Sequence, residues 1–397
     1  MTAHQTLWFL LDLALIVAAA RLFGMVARRL RQPAVLGEIF AGLLFGPTLF
    51  GPGFVAAVFP PQVSPLLQAV ASLGVAVFMF LMGLELDTAH LRGRGPVAAS
   101  VVFACTALPF LLGFGTAFLL SGRPEGVSAL DFALYLGVAM SITAFPVLAR
   151  ILADRGMVKS RVGALALACA AGADVFAWGL LAVVLALVHR GDSTPWLLLV
   201  LPVYVSVMLL VVRPLLRRRP PGAGTLLAGA LLSGAATHWL GLHFLFGAFL
   251  FGAVVPRVVA ERVRAQLGVL TTAVLLPVFL VVAGLAVNLR GLDASGLLDL
   301  LLIVAVAICG KFGGAYLAAR AGQLPRPEAV TLGLLMNTRG LTELIVLSIG
   351  LQAGLLDTRL FSLLVVMAIV TTGMAGPLLN RTETTIEIPT IMRDGLR

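Results

Sequence analysis

The chain is short of charge. Only 12% of its 397 residues are Asp, Glu, Lys or Arg, against 60% hydrophobic residues and a mean hydropathy of +1.06. A soluble chain of this length needs about a quarter charged residues to cover its surface. A water-soluble globular fold is therefore excluded, and the composition is that of a polytopic, all-α membrane protein surrounded by lipid. Cysteine is scarce as well. Cys105, Cys169 and Cys309 fall in separate apolar runs without pairing or metal-ligand spacing, which predicts small hydrophobes in helix cores. No glycine-rich nucleotide loop, metal-ligand cluster or nucleophile with its base is present, so neither an enzyme nor a bound cofactor is expected. Acid is scarcer than base, 18 residues against 28. In a soluble chain the net charge of +10 would point to nucleic acid, but here it reflects Lys and Arg gathered in short inward loops, and no nucleic acid is needed.

A window of about 20 residues finds about thirteen candidate spans, near 6–27, 33–50, 66–87, 96–121, 130–152, 160–189, 195–216, 222–240, 243–260, 268–289, 296–319, 325–353 and 358–380. The first runs on past Arg21 with no cleavage site, so it is kept as a span. With the N-terminus outside, the inward loops and the C-terminal tail hold 21 of the 28 Lys and Arg residues and the outward loops four. That asymmetry favours an odd number of crossings and a cytoplasmic C-terminus, in what is expected to be a bacterial inner (plasma) membrane. The membrane part is expected over 1–380, with a short cytoplasmic tail at 381–397 and no attached regulatory domain.

Within this apolar sequence a few polar residues stand at membrane depth, where they are expensive and the default reading is functional. Asp174 lies inside the uncharged run from Val162 to His189, and Lys311 inside a second run from Gly296 to Ala319. Lys311 is the obvious partner or competitor of the acid. Two spans also break helical chemistry in their middles. In the fifth, Pro146 removes a backbone donor and biases Phe145 away from helix, so the polar groups of Ser141 to Phe145 need other partners. In the twelfth, Asn337, Thr338, Arg339, Gly340 and Glu343 fit an apolar helix only if they line a cavity. A simple proline kink in the first case, and a local i,i+4 pair of Arg339 with Glu343 in the second, are the plainer alternatives.

Repetition links the two halves. Phe40–Pro47 resembles Phe246–Ala253, and Val77–Asp87 resembles Val278–Asn288, both offset by a little over 200 residues. Thr143 and Thr338 give a weaker third match. Six spans, a linking span and six more place the halves antiparallel, as inverted repeats. Repeat one is expected at about 6–189, the linking helix at about 195–216 and repeat two at about 222–380.

Four strings, Gly37–Pro47, Gly83–Asp87, Ser141–Arg150 and Met336–Val346, resemble the second family of monovalent cation/proton antiporters. That family includes Kef-type potassium/proton exchangers, plant cation/proton exchangers and bacterial sodium/proton antiporters. The resemblance covers nearly the whole chain. It implies a homodimer in which a core (about 96–189 and 296–380), holding two crossed discontinuous helices around Thr143 and Thr338, moves against a dimerisation scaffold (about 6–87 and 222–289). It also implies Asp174 as the ion-binding aspartate and Lys311 as the buried lysine. The chain departs from the family where a second acid, Asn or Gln precedes that aspartate, because here the residue is Ala173.

The expected function is antiport of Na⁺ or K⁺ against protons by alternating access. Cation and proton compete for Asp174, the metal ligand, with Thr143 and Thr338 completing the site. Lys311, Arg339 and Glu343 balance charge at the half-helix ends, Glu38, Glu85, Ser141 and Asn337 are candidate pathway residues, and Ala173 favours electroneutral exchange. A sodium-coupled organic-anion symporter of similar broken-helix fold and a cation channel are the alternative readings.

Overall fold

The computed structural model describes residues 2–30, 32–85, 95–158, 160–188, 202–218, 221–240, 243–290 and 292–383. Residues 86–94, the first part of the predicted linking helix and the predicted tail beyond Glu383 lie outside them. Among the described residues the regular structure is all helical, with no strand. In chain order the helices are α1 (Ala3–Arg29), α2 (Ala34–Phe45), α3 (Pro47–Phe50), α4 (Pro52–Val58), α5 (Ser64–Glu85), α6 (Gly95–Thr116), α7 (Ala129–Ser141), α8 (Phe145–Asp154) and α9 (Arg161–Val188). There follow α10 (Arg213–Arg218), entered through a π turn at Met208–Val212, then α11 (Ala223–Trp239), α12 (Phe244–Val254) and α13 (Arg257–Leu270). A second π turn at Thr271–Leu275 leads into α14 (Leu276–Leu285), and α15 (Ala294–Ala321), α16 (Arg326–Met336), α17 (Leu341–Gln352) and α18 (Thr358–Glu383) complete the chain.

Eight helical stretches among the described residues are long and apolar enough to cross a bilayer, and nine if the bent pair α16–α17 is one span. Each of the thirteen predicted ranges contains helix, but some of these helices, α12 among them, are shorter than a full crossing needs. Length and hydropathy of the described residues thus do not confirm the count of thirteen. The first such stretch, α1, buries one face through Asp12, Ile16, Ala20 and Ala27 and leaves Leu7, Leu11, Leu15 and Leu22 exposed. This is the pattern of a helix at the edge of a bundle in lipid.

The chain divides into two compact units. The first comprises Met1–Val26, Gly37–Thr88 and Trp178–Arg290. Its helices meet through glycine. A Cβ on Gly42 or Gly284 would lie 2.8 Å from the other's Cα, and one on Gly83 would lie 2.9 Å from the Cα of Gly252. Such approaches are open only to residues without side chains, and they replace the hydrophobic drive that lipid removes. Gly46, which also faces Gly284, corresponds in the sequence repeat to Gly252, and Gly83 corresponds to Gly284. The crossing of α2 on α14 and that of α12 on α5 are therefore built from equivalent residues.

The second unit comprises Ala27–Leu36, Ala89–Ala177 and Gly291–Arg397. Here α6 runs antiparallel to α15, with Gly310 against Pro109, Gly314 against Ala104 and Gly322 against Val97. A core that includes Val101, Leu148, Leu165, Cys169, Ala315, Leu332 and Leu379 draws on six helices, α6, α8, α9, α15, α16 and α18. Cys105 and Cys169 are buried as predicted, but Cys309 is exposed on α15, because its position falls on the face that α15 turns away from α6. At the start of α15, Asp293 caps the helix by accepting from the Gly296 amide at 2.8 Å. That bond and the Ser295 hydroxyl hold its carboxyl below the usual range.

Candidate functional site

The two sequence breaks become two interrupted helices in the second unit. α7 ends at Ser141, Ile142 is extended, and α8 starts at Phe145 with Ala144 as its N-cap. Pro146 therefore sits in the first turn of a new helix, where its missing N–H costs nothing, and it is not a kink inside a continuous one. The local cause is plain: β-branched Ile142 and Thr143 precede a residue that Pro146 biases away from helix. The second interruption lies between α16, ending at Met336, and α17, starting at Leu341, and the two halves are bent by 41°.

The interrupted segments satisfy one another. The Ala144 amide donates to the Thr338 carbonyl at 3.3 Å, and the Thr342 hydroxyl donates to the Thr143 carbonyl at 3.0 Å. Arg339, wholly buried, donates Nη2 to the Met140 carbonyl at 2.7 Å and Nη1 to Glu343 Oε1 at 2.8 Å. From α18, the Thr372 hydroxyl accepts from the Arg339 amide at 2.8 Å and donates to the Arg339 carbonyl at 2.6 Å. Backbone groups of Met140, Thr143, Ala144, Thr338 and Arg339 thus have partners inside protein, as irregular backbone at membrane depth requires.

Lys311 is also wholly buried. Its ammonium donates to the Ser141 carbonyl and, at 2.6 Å, to the Thr143 hydroxyl. Two cations, Lys311 and Arg339, therefore face the carbonyl end of α7, where the helix dipole is negative. Glu343 stands in the first turn of α17, the electropositive end of that half-helix.

Asp174 is 5% exposed, and neither carboxylate oxygen has a hydrogen-bond partner among the described residues. Lys311 acts on it electrostatically, as does the Phe145 amide at the start of α8, without a bond of good geometry from either. The expected partner of Asp174 is thus engaged elsewhere, tied to the end of α7. Asn337 Oδ1 and Glu343 Oε2 are likewise buried without a partner.

The structure gathers Ser141, Thr143, Asp174, Lys311, Asn337, Thr338, Arg339 and Glu343 in the second unit, and it leaves Glu38 and Glu85 in the first. Glu38 is half-buried on α2. Glu85 ends α5 in an ion pair of 2.8 Å with Arg264. Ser141 spends its hydroxyl on the Val138 carbonyl and Thr338 spends its own on Leu335, so at Ser141 it is the backbone oxygen that faces Lys311. Sequence reasoning missed Thr342 and Thr372. Thr342 carried a usable signal, lying two residues beyond Gly340 in the polar string. Thr372, in an apolar helix far along the chain, carried none.

A charged, broken-helix centre inside a helical membrane protein defines an ion-handling class, and comparison with known proteins specifies it. The chain belongs to the sodium/hydrogen exchanger transmembrane family, which it matches over residues 14–382. It is 38% identical over 397 residues to Cation/H(+) antiporter 17 of Arabidopsis thaliana, covering 94% of this chain and 48% of that one. It is 37% identical over 402 residues to the Na(+)/H(+) antiporter NhaS4 of Synechocystis sp., covering 95% of this chain and 98% of the relative. It is also 31% identical over 419 residues to K(+)/H(+) antiporter 1 of Saccharomyces cerevisiae, covering 98% and 47%. The chain spans about half the length of the plant and yeast relatives. Its fold resembles that of the sodium proton antiporter MjNhaP1 from Methanocaldococcus jannaschii, with a TM-score of 0.70 at 14% identity over 92% of this chain and 97% of the other.

Proposed function

We propose that this protein exchanges a monovalent cation, Na⁺ or K⁺, for a proton by alternating access, with Asp174 binding one or the other. The observation that carries the reading is a buried carboxylate with both oxygens unclaimed, beside two interrupted helices whose backbone carbonyls at Met140 and Thr143 are held by Arg339 and Thr342. An ionised Asp174 offers hard oxygen ligands, and a cation of single charge matches a site with one free acid. Protonation removes that charge, so cation and proton exclude each other. Thr143 and Thr338 stand at the interruption, where a hydroxyl or carbonyl oxygen completes the shell. Lys311 and Arg339 hold the end of α7 against the negative dipole, and Glu343 offsets Arg339. One acid in this stretch of α9, preceded by Ala173, makes the exchange one proton per cation and electroneutral.

The same reading makes the second unit the moving core and the first the scaffold of a homodimer. The mirrored glycine crossings and the two interruptions support inverted repeats of six helices each within thirteen spans. Arginine-rich loops support a cytoplasmic C-terminus in a bacterial plasma membrane.

Purified protein in liposomes with an imposed pH gradient tests the assignment. Wild type dissipates the gradient on addition of Na⁺ or K⁺, and Asp174→Asn, which keeps the shape and loses the charge, does not. Exchange by Asp174→Asn at a wild-type rate refutes the role of the aspartate, and Na⁺-driven uptake of an organic anion refutes antiport.

A further inference from the structure

One end of the first unit concentrates arginine. α10 carries Arg213, Arg217 and Arg218, and α13 carries Arg257, Arg262 and Arg264, all six exposed. Among the described residues the acids within reach of this end are fewer: Glu261 on α13, and Glu85, which Arg264 already occupies at 2.8 Å. Arg213, Arg217, Arg218 and Arg262 have no ion-pair partner among the described residues.

The topology brings the two helices to the same end. α10 leads directly into α11. α11 and α12 form an antiparallel hairpin, with Gly234 against Phe244 and Gly229 against Phe251, and α13 starts where α12 finishes. Leu216 of α10 packs into the same cluster as Val259, Val263 and Leu267 of α13. Beside the arginines, large apolar side chains stand in the open: Leu210 is 75% exposed, Leu215 62% and Val258 92%.

Guanidinium groups fork onto phosphate oxygens with two parallel bonds. A free anion would use the arginines and leave Leu210, Leu215 and Val258 uncovered, whereas a ligand with a phosphate head and hydrocarbon tails uses both. Basic groups at the ends of membrane helices also draw anionic lipid. We propose that α10 and α13 form a binding site for an anionic phospholipid, its phosphate held by Arg217, Arg218 and Arg262 and its acyl chains lying on Leu210, Leu215 and Val258. The site is independent of the transport chemistry at Asp174.

The test uses purified full-length protein in detergent, with thermal melting read as dioleoyl phosphatidylglycerol, dioleoyl phosphatidylcholine or inorganic phosphate is added. Phosphatidylglycerol raises the wild-type melting temperature by several degrees, and the other two leave it near the starting value. In the Arg217→Gln/Arg218→Gln/Arg262→Gln variant at least half of that shift is lost. The corresponding triple lysine variant, which keeps the charge, retains most of it. Arg262→Gln alone requires several-fold more phosphatidylglycerol for the half-maximal shift, and this decides the matter if the triple variant fails to fold. An equal shift from phosphatidylcholine or from inorganic phosphate overturns the proposal, as does a single variant that titrates like wild type.

Discussion

Arg339→Met tests whether the buried pair is a helix cap or only a local salt bridge. Arg339 holds two things at once, Glu343 at 2.8 Å and the Met140 carbonyl at 2.7 Å. Glu343 holds only Arg339, since its second oxygen has no partner among the described residues. Removing the arginine strands a buried carboxylate, which costs about 3–5 kcal/mol. It also strips the Met140 carbonyl of a charge-assisted bond, worth about 1.5–3 kcal/mol. These losses are not additive, so a net destabilisation of about 4 kcal/mol is a fair lower figure. Glu343→Gln should cost less, about 1–3 kcal/mol, because the arginine keeps its carbonyl and the new amide oxygen still accepts from it. The double variant Arg339→Met/Glu343→Gln removes the stranded charge and should recover about 2–3 kcal/mol of the single arginine loss. At about 2 °C per kcal/mol for a chain of this size, Arg339→Met melts roughly 8 °C lower and the double variant regains about half of that. The assay is fluorescence-detected melting of the monodisperse protein in detergent. Equal losses for the two single variants would show that Arg339 does not serve the end of α7, and a double variant that melts at the sum of both would show that no charge is stranded at Glu343.

Thr143→Val and Thr338→Val should each raise the KM for the cation more than they lower expression, Thr143→Val the more strongly because its hydroxyl also accepts from Lys311. Unchanged cation dependence of exchange in liposomes would place binding elsewhere. With Ala173 leaving one acid in this stretch of α9, the rate and final pH gradient should be the same whether the membrane potential is clamped with valinomycin or left free. A clear dependence on potential, measured with Na⁺ gradients at fixed K⁺, would assign a second proton to Lys311. Gly83→Ala should destabilise by about 1–3 kcal/mol, because the new methyl meets backbone that cannot yield as a side chain would. Its melting temperature, compared with that of Gly53→Ala, where a Cβ would meet nothing within 4 Å, checks this.

Hydropathy and charge are local properties, so the sequence alone determined the membrane class, the position of most helices and the presence of polar residues where lipid cannot solvate them. The two interruptions were legible for the same reason: Pro146 and the Asn337–Gly340 string act on their own backbone. The repeat was legible because glycine is needed where Gly46 faces Gly284 and Gly83 meets Gly252, so the pattern persists in both halves. Partnership was not legible. Lys311 reads as the counter-ion of Asp174, yet it binds the Ser141 carbonyl and the Thr143 hydroxyl, 170 and 168 residues away in the chain. Thr372 looks like any helix threonine until α18 lays it on the Arg339 backbone, 33 residues off. A lone pair has no sequence signature, because backbone carbonyls are the same at every residue. Only the tertiary fold decided which of them meet a cation and which oxygens, those of Asp174 above all, are left open.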